Sequence, residues 1–268
     1  MSTLLYGTVA VNSFRRFATY RLATIAGIIT NTVFGFIMCY TYTALWDQHP
    51  QLGGYSLPQA MTFVWLGQGL AMTMAILGGG FQEEFVERIT TGDVAIDLYR
   101  PVDLQLWWLA TDLGRAAFHL LGRGIAPMLI GALVFPFALP NSPQVWAWFF
   151  VSVFLGVIVS FAIQYIVAST AFWFMENSGM KQLALILRVF FSGMTLPLSL
   201  FPGWLGDLAH ALPWSSLLQI PADILLEKRT GMSLLSALVF QICWAAVLLI
   251  AGRGLTLLAT KKVVVQGG

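Results

Sequence analysis

The chain has 268 residues, 58% of them hydrophobic and only 10% charged, with a mean hydropathy of +0.78. Soluble domains carry about 25% charged residues, so a water-soluble globule is excluded. A net charge of +2, with no Arg/Lys run interleaved with aromatics beyond the N-terminus, sets nucleic acid aside as a partner. Strand-period alternation is also missing, which leaves an all-α integral membrane protein.

In chain order, residues 3–20 place Tyr6, Ala10, Phe14 and Phe17 at helical spacing, with Asn12, Arg15, Arg16 and Thr19 off that stripe. This predicts an amphipathic helix at the cytosolic interface, spanning 1–20. A signal peptide is the competing reading, but the apolar run that follows is too long and no A-x-A pattern closes it. The first predicted span is Leu22 to Trp46, and the second runs from Leu57 to Gly80, where Gly78, Gly79 and Gly80 loosen the helix. The third extends from Gln105 to Phe135, with Trp107 and Trp108 marking the interface. No charge lies between Arg123 and Glu176, and LPNSPQ breaks that stretch, so a fourth span is predicted at Val145 to Met175. A fifth follows at Gln182 to Leu200. Residues 201–229 are cut by Pro202, Pro213 and Pro221 and predict an external re-entrant hairpin. A sixth span covers Met232 to Leu257. Cys39 and Cys243 both lie in apolar runs and read as packing residues.

Lys and Arg set the orientation. Six spans with both termini inside leave Arg15, Arg16, Arg21, Arg88, Arg100, Lys181, Lys261 and Lys262 on the cytosolic side and only Lys228 and Arg229 outside. The chain carries 14 Lys and Arg and 12 Asp and Glu, and eight of these fall between Glu83 and Asp103. Such a polar island between apolar segments must meet water or a partner. Glu83 to Thr91 predicts a short helix with Phe85, Val86 and Ile89 on one side and Glu84, Glu87 and Arg88 on the other. Gly92 supplies a turn, Asp93 caps a second short helix at Val94 to Leu98, and Arg100-Pro101 ends it.

Asp112, Arg115, His119 and Arg123 share a helix face. Two readings stand: Arg115, His119 and Arg123 line an inner vestibule, or Asp112 pairs with Arg115 while the arginines snorkel to the interface. Arg188 also reads as a snorkelling residue. Asn31, Gln68, Gln164 and Gln241 are uncharged polar residues inside spans; they either bond between helices or, as for Gln68, touch a substrate. Asp207 and His210 lack a nucleophile and read as surface groups of the hairpin.

ERITTGDVAIDLYRPVDLQLWWLATDLGR resembles the cytosolic segment of a bacterial family of ATP-binding-cassette permeases of the type-2 exporter class. AFWFMENSG, GMTLPLSLFPGWLGDLAHALPW and the tail KKVVVQGG are similar to further stretches of that family. The resemblance implies six transmembrane helices, an N-terminal interfacial helix, a cytosolic coupling helix at 83–103 and an external re-entrant pair before span six. It implies a permease of the bacterial cytoplasmic membrane that pairs with a second permease, the same or related. It also implies two separate ATPase subunits, which would hold ATP and Mg while this chain holds no cofactor. Glu84, Glu87, Arg88, Gly92, Asp93, Asp97, Arg100 and Pro101 would then couple to the ATPase and move with spans two and three. The chain has no GxxxxGK[ST] loop of its own. An amphipathic drug-like or lipid-like cargo fits the apolar spans. The rival readings are an ion-gradient carrier, which would show internal repeats, and a membrane-embedded enzyme, which would show a convergent catalytic cluster.

Overall fold

The computed structural model describes residues 2–174 and 177–260. The tail KKVVVQGG and the Met175–Glu176 part of AFWFMENSG lie outside them. Among the described residues every regular element is helical. They are α1 (Ser2–Thr19), α2 (Arg21–Gln48), α3 (Leu57–Leu70), α4 (Gln82–Thr90), α5 (Val94–Tyr99) and α6 (Leu104–His119). A π turn at Leu120–Gly124 leads into α7 (Ile125–Val134), followed by α8 (Pro143–Ser169), α9 (Ser178–Phe191), α10 (Gly203–Ala211), α11 (Gln219–Leu225) and α12 (Gly231–Thr260).

Four stretches among the described residues are long and apolar enough to cross a bilayer: Arg21–Gln48, Leu104–Val134, Pro143–Phe172 and Gly231–Thr260. They coincide with the first, third, fourth and sixth predicted spans. The second and fifth differ. Helices α3 and α9 have 14 residues each, about 21 Å at 1.5 Å per residue, against a hydrocarbon core of about 30 Å. Helix α3 begins with a capping box between Ser56 and Gln59 and Pro58 in its first turn. It stops at Leu70, well before the three glycines. Left-handed backbone then recurs at Ala75, Gly78, Gly79 and Gly80 (φ 47°, 96°, 85° and 92°). Helix α9 ends where Gly193 turns left-handed (φ 90°) and Pro197 follows.

Long helices pack in two pairs of opposite sense. Helix α2 runs antiparallel to α3, with Asn31 donating to the Gln68 carbonyl (3.0 Å) and the Trp46 indole to the Tyr55 carbonyl (2.7 Å). Helices α8 and α12 run parallel, linked by Ser152 to Gln241 (2.9 Å) and by Tyr165 to Thr256 (2.7 Å). Thus Asn31 and Gln241 make interhelical bonds. Trp65, fully buried, is the centre of the main core. Its ring lies so close to Gly35 and Gly131 that a Cβ there would come within 2.7 and 2.3 Å of it. Those two glycines let α2 and α7 close on α3.

The N-terminal helix does more than lie beside the molecule. It packs along α6 from Tyr6, whose hydroxyl accepts from the Asp103 amide (3.2 Å), to Phe17, which meets the His119 ring edge-on at 5.4 Å. Residues 201–229 form short pieces, as the three prolines predict: α10, a 3-10 turn at Pro213–Ser216, and α11.

Candidate functional site

The charged island folds into two short helices, α4 turning Phe85, Val86 and Ile89 inward and α5 turning in Val94 and Leu98. Phe85 is fully buried and Val94 nearly so, while Val86 and Ile89 pack at the margin of the same cluster. Phe85 stacks on Tyr165 of α8 at 5.2 Å and lies 5.3 Å from Trp108 of α6. Phe81 sits 4.8 Å from Phe161. These aromatic contacts tie α4 to the third and fourth spans. The family resemblance implies spans two and three, and the fourth is the addition.

Gly92 makes the turn between α4 and α5 with φ 86°, a backbone that L side chains disfavour. Asp93 does not cap α5. Its backbone is already helical (φ −60°, ψ −20°), and its carboxylate accepts no bond from the helix start. A capping residue needs an extended backbone to swing its side chain over the first turn. Asp97 instead organises the unit. It is buried, accepts from Arg88 Nε (2.5 Å) and Nη2 (3.0 Å), and lies 3.2 Å from Arg100. The bond to Asp97 raises the Arg88 pKa above the ordinary arginine value. Arg100 turns over the Trp107 ring at 5.6 Å, and Pro101 ends the unit. Glu87 faces water, and Glu84 pairs with Arg16 of α1 at 2.8 Å. Asp103 caps α6 by accepting from the Leu106 amide (2.9 Å) and pairs with Arg253 of α12.

Ile96 and Tyr99, to which the sequence reading assigns no role, are 57% and 78% exposed on α5. Their spacing of three residues amid charges was the available signal. They give the polar tip an apolar knob.

The residues of the third span reach three separate neighbours. Arg115 is 1% exposed, ion-paired to Asp112 (2.7 Å), and donates to the carbonyls of Met72 (2.5 Å) and Thr73 (3.0 Å). Ser160 of α8 donates to the Met74 carbonyl (2.5 Å), and Arg188 of α9 to the Ala75 carbonyl. Four consecutive carbonyls of the stretch after α3 thereby accept from side chains, which is what permits the helix to stop inside the packed bundle. Arg188 is 2% exposed and does not snorkel. His119 lies against Phe17. Arg123, on the π turn, presses its guanidinium onto Gly27 of α2, where an added Cβ would fall 1.6 Å from Nη2. Gln68 is buried on α3 beside Met194 and Tyr42, in a recess of about 10 Å³. Of the four residues read as a translocation path, Arg115 is spent on protein acceptors in this conformation. Arg115, His119 and Arg123 turn to the unwound backbone, to α1 and to α2 respectively.

Residues 28–262 match the family model described as ABC-2 family transporter protein. No curated protein matches the chain.

Proposed function

The chain belongs to the ABC-2 family of transporter proteins, and on that premise we propose that it is the membrane-spanning subunit of an ATP-driven exporter. It crosses the bacterial cytoplasmic membrane six times with both termini inside, and the unwound stretches after α3 and α9 complete the second and fifth crossings. A second permease, the same or related, faces it, and the path lies between first, second and fifth spans. The cargo is amphipathic, drug-like or lipid-like, because the spans that would wall the path are apolar. ATP and Mg are held by two separate ATPase subunits.

The observation that carries this reading is the α4–α5 unit. Arg88 and Asp97 lock its two helices together, its inner side is anchored in an aromatic cluster on α6 and α8, and Ile96 and Tyr99 point outward among Glu87, Asp93 and Arg100. An element built this way transmits a push as a rigid body, because packed aromatic contacts resist deformation. Arg88, Gly92, Asp97, Arg100 and Pro101 shape that unit, Glu84 ties it to α1, and Glu87 and Asp93 face water. A soluble ATPase groove that closes on nucleotide would move it together with the third and fourth spans.

The test is gentle detergent purification of the chain from its native cells, with mass spectrometry of what accompanies it. A soluble ATPase in stoichiometric amount is expected, lost in an Ile96→Glu, Tyr99→Glu double variant that keeps its thermal stability. Repeated recovery of the chain alone under mild conditions would favour a gradient-driven carrier instead.

A further inference from the structure

Helices α8 and α12 begin side by side, and a cavity of about 170 Å³ opens between their first turns. Its floor is the buried Ile224 of α11, and its walls are Trp148 of α8, Leu234 of α12, Gln144, Glu227 and Arg229. Two charges of opposite sign thus share one cavity with an indole and an amide. They are not spent on each other, since neither the Glu227 carboxylate nor any other acid besides Asp223 lies within ion-pair distance of Arg229 among the described residues.

Arg229 is held from behind. Its Nε donates to Asp223 at 3.4 Å, and Asp223 is itself bound by the Tyr55 hydroxyl (2.5 Å) and the Gln219 amide (2.9 Å). The two terminal amino groups of Arg229 have no acceptor among the described residues. A guanidinium fixed at Nε and open at its fork is suited to a phosphate. Glu227 stands just past the end of α11 with φ 57°, its amide bonded to the Ile224 carbonyl (3.1 Å) while the Lys228 amide closes on the Asp223 carbonyl (2.8 Å). Glycine is the usual residue at that left-handed helix-ending position. A glutamate there carries a backbone penalty. Its carboxylate is two residues from Arg229 and forms no ion pair among the described residues.

The cavity lies where two long apolar helices start, with Trp148 in its wall, and aromatic side chains at the ends of such helices mark the headgroup level of a bilayer. We infer that it binds the headgroup of a zwitterionic phospholipid carrying a primary ammonium, with Arg229 on the phosphate, Glu227 on the ammonium, and Trp148 and Leu234 along the start of the acyl chains. The volume suits a group of several heavy atoms rather than a single ion, for one water occupies about 30 Å³.

The full chain, reconstituted in nanodiscs of phosphatidylethanolamine mixed with phosphatidylglycerol, then extracted mildly, reports its retained lipid by native mass spectrometry. The ethanolamine lipid is expected to be enriched about fivefold over the glycerol lipid, the scale of one partly exposed charge contact. Glu227→Gln should bring that ratio to about one with melting unchanged, and Arg229→Gln should release both lipids. Equal retention of the two lipids by the native chain, or a preference that survives Glu227→Gln, overturns the inference. Soluble O-phosphoethanolamine is the second probe: binding of it without retention of the lipid overturns the assignment to lipid. Because nothing in this experiment involves an ATPase or transport, its failure is distinguishable from failure of the exporter reading.

Discussion

Arg115 and Arg188, from α6 and α9, serve the same stretch of unwound backbone, one binding the carbonyls of Met72 and Thr73 and the other that of Ala75. Both are buried, and among the described residues Asp112 is the one carboxylate ion-paired with either. Buried charges persist when hydrogen bonds satisfy them, and removing one partner strands the rest. Arg115→Met should therefore cost about 3–5 kcal/mol, because it leaves Asp112 unpaired and the Thr73 carbonyl empty, while the Met72 carbonyl keeps only the Ala75 amide. Arg188→Met leaves the Ala75 carbonyl with the Gly78 amide alone and should cost about 1–3 kcal/mol. Arg115→Lys should not rescue, since an ammonium cannot span three acceptors held in a fork. Thermal unfolding in detergent checks the order, and equal losses for the two Met variants would show that the Asp112 pair does not matter.

Asp97 looks on sequence like one more exposed acid of a coupling surface, yet it is buried under two arginines. Its substitution should loosen α4 from α5 rather than delete a contact with a partner. A double-mutant cycle of Arg88→Gln and Asp97→Asn should give a coupling of about 1–2 kcal/mol, the range of a charged hydrogen bond reduced for partial exposure. Binding of the ATPase proposed as partner should fall in step with that stability loss. If ATPase binding fell while melting stayed fixed, Asp97 would be a contact residue after all.

What the sequence made legible was the placement of apolar runs and turns. The four long helices start and end within a few residues of the runs that predict them, because apolar length and flanking Trp or Pro decide a span locally. The stop of α3 at Leu70 was not legible, because it depends on donors that arrive from Arg115, Ser160 and Arg188, between 42 and 113 residues away in sequence. Intrinsic propensity is a weak prior when distant side chains can satisfy a broken ladder. The same holds at the candidate site. Phe85 and Gly92 follow from pattern and turn chemistry, whereas the burial of Asp97 follows from the fold of α5 back onto α4. The spacing of Arg115, His119 and Arg123 gave their shared helix but not their three destinations, which the packing of α1, α2 and the unwound stretch determines.

At the other end of the bundle, the Tyr55 hydroxyl donates to Asp223 at 2.5 Å and also accepts from the Gln219 amide at 2.8 Å. Burial first, and the Asp223 charge second, raise the Tyr55 pKa above its ordinary value. A raised value stabilises the fold fully below the unfolded pKa of about 10 and ceases to do so as pH climbs beyond it. The native protein should accordingly lose melting temperature above pH 10 more steeply than Tyr55→Phe. That variant should itself be less stable at neutral pH by about 1.5–3 kcal/mol, having lost a hydrogen bond to a charged group. Parallel alkaline slopes for the two proteins would remove Tyr55 from the account.

Gly114 sets how closely α1 can approach α6. A Cβ there would lie 2.0 Å from the Ala10 carbonyl oxygen, a backbone atom that cannot turn aside. Gly114→Ala must therefore push the N-terminal helix away, straining the Ser13 bond to the Thr111 carbonyl (2.6 Å) and the Arg16–Glu84 pair that links α1 to the α4–α5 unit. A cost of about 1–3 kcal/mol is expected for such overpacking, along with faster tryptic cleavage after Arg15 and Arg16. Gly7→Ala is the control. Nothing lies within 4 Å of the Cβ it would add, so the helix should gain about 0.5–1 kcal/mol from the change alone. Opposite signs for two Gly→Ala changes in the same helix pair would locate the effect in the α1–α6 approach rather than in helix propensity. If Gly114→Ala left both melting and cleavage as they were, α1 would not be seated on α6 in solution, and the tether from Arg16 to Glu84 would go with it.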